Sequence, residues 1–163
     1  DRSSGQRRPD RSRIGPGAEP PLLPAQPQAL AIVRMVEMVT VNELLPATRP
    51  LIQQALDLTE VTPEQLEQAK QQIATVLGVL ENWLAERPYF GGERLTLADI
   101  VAGTAVPSLP SLGVSLKGDA HLSDWTQRLR QRASWQQTEA TPEEVEAFKS
   151  RMKQLMARNS QRS

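Results

Sequence analysis

The side chains that could do chemistry are few in this 163-residue chain, and they are scattered. Histidine occurs once, as His121, and cysteine is absent. A lone histidine beside a predicted helix start supports neither a His-based triad nor a multi-histidine metal site. His121 is expected at the surface near a cap. Without cysteine there is no thiolate ligand, no thiol nucleophile and no disulfide framework. The single tyrosine, Tyr89, lies in the aromatic turn "RPYFGG" and is expected to pack on the helix that follows. The carboxylates do not pair: Asp99 sits where a helix cap needs it, and Glu143, Glu144 and Glu146 fall in the first turn of the last predicted helix. Arg128, Arg130 and Arg132 alternate and so spread around a helix, which favours packing and ion pairs over a nucleic-acid stripe. No catalytic residue and no metal ligand is assigned.

Such residues must be held by helices, because the apolar spacing is helical from Ala25 onward. "PQALAIVRMVEMVTVNELL" is apolar around most of its circumference and reads as a central helix, which Pro46 and Pro50 should kink or end near Leu45. A second helix opens with Thr62, Pro63 and Gln65 and carries Leu66, Ala69, Ile73, Val76, Leu77, Leu80, Trp83 and Leu84 at three- and four-residue steps. "IVAGTAVPSLPSLGVSL" is apolar and broken by Pro107 and Pro110. Leu122, Trp125, Leu129 and Trp135 mark the next helical stretch, and Val145, Phe148, Met152 and Leu155 mark one face of the last. No segment alternates as a strand does. The expected class is all-α, a bundle of five to six helices.

Residues 1–19 are dense in Arg, Pro, Gly and Ser and are expected to be a disordered tail. Residues 20–138 read as one helical domain, and 139–163 as an additional C-terminal helix with a frayed end. Nineteen basic and nineteen acidic residues cancel, so net charge recruits neither nucleic acid nor an anionic membrane. Absence of an 18-residue apolar run and of a secretory leader reads as a soluble, cytoplasmic protein with no membrane partner.

The stretch "PYFGGERLTLADI" carries the sharpest local signal. Thr96 and Asp99 stand at the spacing of a capping box, in which each side chain accepts the other's backbone N–H. Leu95 and Ile100 flank it as a hydrophobic staple. Losing the cap should cost on the order of 1 kcal/mol. With "PPLLPAQPQALAIVRM", "LENWLAERPYFGG" and "LSDWTQRLRQRASW" around it, this segment resembles the C-terminal helical domain of the glutathione S-transferase family over roughly residues 20–138.

That resemblance implies a hydrophobic pocket for apolar electrophiles and part of a dimer interface. The pocket candidates are Met35, Met38 and Val39 on the first helix and Val106 and Leu109 beyond the capped one. Complete members begin with a thioredoxin-like domain that binds and activates glutathione. None is legible here, so the chain is expected to bind no cofactor and to be inactive by itself, with glutathione a co-substrate only where that domain is supplied. Whether the chain is an enzyme stays open. The alternative is a non-catalytic interaction module of the same helical type. The expected partners are a thioredoxin-like domain in cis or another protein, with homodimerisation possible.

Overall fold

A computed structural model describes residues 21–160, and the predicted tail 1–19 lies outside them. Every regular element among the described residues is helical, and the one β-bridge joins Tyr89 to Gly92. The first rod comprises α1 (Pro27–Val39), a π-helical turn (Thr40–Leu44) and α2 (Leu45–Ala55). Of the two outcomes expected at Pro46 and Pro50, a kink or an end near Leu45, the end does not occur: the rod stays helical through both prolines to Ala55. Leu45 N–H reaches back five residues to Thr40 O, and this wider turn relieves the clash that Pro46 would make with an α-helical carbonyl. Past it, the Thr48 hydroxyl donates to Leu45 O at 2.7 Å.

The second rod is α3 (Pro63–Leu84). It opens as its sequence dictates: Gln65 N–H donates to Thr62 Oγ1 at 3.3 Å, and Thr62 N–H donates to Gln65 Oε1 at 2.9 Å. Its stripe of Ala69, Ile73, Val76, Leu77, Leu80 and Leu84 is buried against α2 and α5. Then come α4 (Leu97–Ala105), continued as a 3₁₀ turn (Val106–Leu112), α5 (Ala120–Arg130), α6 (Ala133–Thr138) and α7 (Pro142–Ser160). Pro107 and Pro110 change the pitch to 3₁₀ rather than ending the rod. The Ser108 hydroxyl takes up Ala105 O there, at 2.7 Å.

The core lies where α1, α3, α4 and α5 converge. Val33, Val36, Leu44, Ile73, Leu80, Leu84, Ala98, Ala102, Leu122, Trp125 and Leu129 are sealed from solvent. Each buried Leu or Ile contributes about 1.5–3 kcal/mol relative to exposure. The small side chains of α4, Ala98, Ala102 and Gly103, let α1 and α6 approach it closely. Phe90 meets Trp125 edge-on, with ring centroids 5.4 Å apart and planes at 72°. The turn after α3 thereby becomes part of the core.

Candidate functional site

The polar centre of the fold is Asp99, fully buried at the third position of α4. Its Oδ2 accepts from Thr96 N–H at 2.8 Å and from the Thr96 hydroxyl at 2.7 Å. Its Oδ1 accepts from Phe90 N–H at 3.0 Å and from Trp125 Nε1–H at 2.9 Å. One carboxylate therefore fastens the cap of α4, the preceding turn and the centre of α5. Its neighbours are donors and apolar rings, and no second acid or nucleophile shares the space. This is a structural hub, both of its oxygens taken up by the fold.

The turn that delivers Phe90 is built for close approach. A Cβ on Gly91 would lie 2.2 Å from Thr96 Cγ2, and Gly92 has φ +115°. Arg128 on α5 donates to Pro88 O at 2.8 Å and stands 6.0 Å above the Tyr89 ring. The segment ahead of α1 joins the same corner: Leu97 N–H donates to Leu22 O at 3.0 Å.

Beside this corner lies an open cleft of about 1540 Å³ between Leu22, the outer face of α4 and α6. Leu95, Ile100 and Pro107 give it an apolar floor, and Tyr89 and Trp135 line it as aromatics. Trp135 is seated on Gly103, its Nε1–H directed at Gly103 O at 3.4 Å. Arg94, Arg130 and Arg132 stand at the edge with Glu93 and Glu139, and Arg130 is tied to Pro107 O at 2.8 Å. The staple pair Leu95 and Ile100 is thus half-buried and faces the cleft as well as the cap.

The five pocket candidates do not come together around this cleft. Met35 and Met38 lie on the exposed side of α1, 44% and 63% accessible, and Val39 is half-buried beside them. Val106 and Leu109 are completely buried core residues. The methionines instead begin an exposed apolar stripe that runs through Val41, Leu45 and Ile52 along the first rod. His121 is exposed as expected. Its backbone N–H, with that of Leu122, donates to the two oxygens of Glu81 on α3 at 2.9 and 2.8 Å. A carboxylate from another helix thus caps α5, a pairing across 40 residues of sequence that local spacing does not announce. Asp119, just ahead, is pushed above its ordinary range by burial and then by the Glu81 charge.

The capping box of Thr96 and Asp99, on which the sequence resemblance rests, is thus formed at the start of α4. Comparison with known proteins decides the matter: the family model for the C-terminal domain of glutathione S-transferases matches residues 44–133, over half of the chain. The chain belongs to that family. Similar proteins include glutathione S-transferase F14 of Arabidopsis thaliana, 26% identical over an alignment of 133 residues that covers 72% of this chain and 50% of the plant protein. Elongation factor 1-gamma-A of Xenopus laevis is 39% identical over 59 residues, covering 36% of this chain and 14% of that one. The chain thus spans about half the length of the plant transferase it matches. Among solved structures, FzlA from C. crescentus superposes with a TM-score of 0.65 at 22% identity, over 76% of this chain and 59% of its own. A glutathione S-transferase from Pseudomonas fluorescens superposes at 0.60 and 23% identity, over 69% and 57%. At these identities the superpositions establish the fold. No helix among the described residues is long and apolar enough to cross a membrane, and no metal-binding cluster occurs among them.

Proposed function

We propose that this chain is the helical half of a glutathione S-transferase-type protein. It would supply the hydrophobic surface for an apolar electrophile and part of a dimer interface, while a thioredoxin-like domain binds and activates glutathione. One observation carries the reading. Within a family assigned independently, the first rod exposes Met35, Met38, Val41, Leu45 and Ile52 on a face that the other described residues leave uncovered. Contiguous apolar surface of this kind marks a ligand or protein contact, and methionines adapt to ligands of varied shape. In this proposal Met35, Met38 and Val39 touch the electrophile, and Val106 and Leu109 act only by packing behind α4. The thiolate attack belongs to the other domain, so the chain alone should not conjugate glutathione to an aryl halide. The same assay on the chain joined to a thioredoxin-like domain of the family should show turnover. Conjugation by the chain alone would sink the proposal.

The match to elongation factor 1-gamma-A favours a second reading, a non-catalytic assembly module whose exposed rod docks on another protein. The two readings part in a thermal melt of the chain joined to a thioredoxin-like domain. Protection by glutathione supports the transferase. No protection, together with concentration-dependent hetero-association, supports the module.

A further inference from the structure

The helix α7 carries an apolar seam that the other described residues leave uncovered. Val145 is 40% exposed, Phe148 54% and Leu155 47%, with Met152 half-buried between them. The spacing of these four is three, four, three, the a–d–a–d order of a coiled-coil stripe. It is also symmetric about Ser150. Turned end for end, the helix sets Val145 against Leu155 and Phe148 against Met152, so that two copies form the same four layers.

The charges follow the same symmetry. Glu143, Glu144 and Glu146 occupy the N-terminal part, and Lys149, Arg151, Lys153 and Arg158 the C-terminal part. In an antiparallel pair Glu144 of each copy flanks Arg158 of the other, one such pair at each end of the seam. The helix dipoles also oppose, so acidic starts meet basic ends. Parallel pairing would instead gather the acidic starts at one end and the basic ends at the other. Two charges near the dyad are partly neutralised within the chain, Lys149 by Glu146 at 2.8 Å and Lys153 by Asp57 at 2.9 Å. The two Arg151 side chains face each other and weaken the pair. The Lys153–Asp57 bridge also joins α7 to the residues after α2.

We propose that α7 is a self-association helix that takes a second copy of itself in antiparallel, two-fold-symmetric pairing. A seam of four layers buries less than a standard interface, so the pair is weak and concentration-dependent. This contact does not use the stripe on the first rod and stands independently of the function proposed above.

The test is sedimentation equilibrium of the full chain over a wide concentration range, with circular dichroism confirming helix content in each variant. The parent should self-associate, and Phe148→Glu, at an exposed position, should abolish the α7 contribution. Arg158→Glu should weaken association about tenfold, since it places two acidic pairs across the seam. Glu144→Lys should do the same, and joining it to Arg158→Glu on one chain should restore the parent value, although the variant loses the bond that Thr141 N–H donates to Glu144 Oε2 at 2.8 Å. Association that is absent in the parent, or unchanged by Phe148→Glu, would overturn the proposal. So would loss with Glu144→Lys but none with Arg158→Glu, because that pattern belongs to parallel pairing.

Discussion

Asp99 gathers four donors on two oxygens, and three of them, the Phe90 and Thr96 amides and the Trp125 indole, belong to different parts of the chain. Asp99→Ala leaves all three buried without an acceptor, so its cost should exceed that of an ordinary cap. We expect a loss of roughly 3–5 kcal/mol by denaturant unfolding, where the cap alone would account for about 1 kcal/mol. A loss confined to the smaller figure would mean that the turn and α5 relax to find other partners. The link between Thr96 and Asp99 was legible in the sequence because a capping box is local. The indole and Phe90 were not, because nothing in the spacing of residues 90, 99 and 125 says that they meet. Asp119 offers a second test at this scale. Burial, then Glu81, raises its folded value above the ordinary 3.8. The folded protein therefore holds this proton to higher pH than the unfolded chain does. Stability is lost as pH rises from the ordinary aspartate value through the raised one, and the penalty is fully present above it. Asp119→Asn is close to isosteric and removes the ionisable group and with it the penalty. The gain in melting temperature should be present at neutral pH and vanish in acid below the ordinary value, and a pH-independent gain would refute this account.

At the level of the helices, two glycines make opposite predictions from the same substitution. A Cβ on Gly103 would lie 2.7 Å from Trp135 Cζ2 and 2.9 Å from Leu129 Cδ1, whereas one on Gly78 in α3 would meet nothing within 4 Å. Gly103→Ala should cost about 1–3 kcal/mol by overpacking and lift α6 away, shifting Trp135 emission toward longer wavelength. Gly78→Ala should stabilise by about 0.4–1 kcal/mol, because it restricts the unfolded chain without strain. Chemical denaturation of the two variants side by side checks both signs. The contrast also explains what sequence could convey about the elements. The buried stripe of α3 and the capped starts of α3 and α4 are periodic or local, and they stood out. The passage of the first rod through Pro46 did not, because a π turn adjusts hydrogen-bond partners without a residue signature. Likewise the cleft draws its walls from Leu22, Ile100 and Trp135, positions joined only by the fold.

For the molecule as a whole, the exposed stripe on the first rod separates stability from function. Met38→Gln with Val41→Gln replaces side chains that are 63% and 52% exposed, so unfolding free energy should move by no more than about 0.5 kcal/mol per site. Binding of an apolar electrophile or partner should fall markedly in an enzyme assembled with a thioredoxin-like domain. Unaltered binding would move the contact off this rod. The all-α class and the family were readable from the sequence because they rest on many short-range signals. The location of exposed apolar surface was readable only in part, since Val106 and Leu109 are apolar like Met35 and Met38 and have the opposite environment. The bond from Leu97 N–H to Leu22 O has a practical side. Because Leu22 is pinned to the α4 cap and also lines the cleft, a reporter protein spliced in directly ahead of Pro21 would emerge at the cleft mouth and obstruct it. Anything that must leave the cleft accessible to a probe should be attached elsewhere.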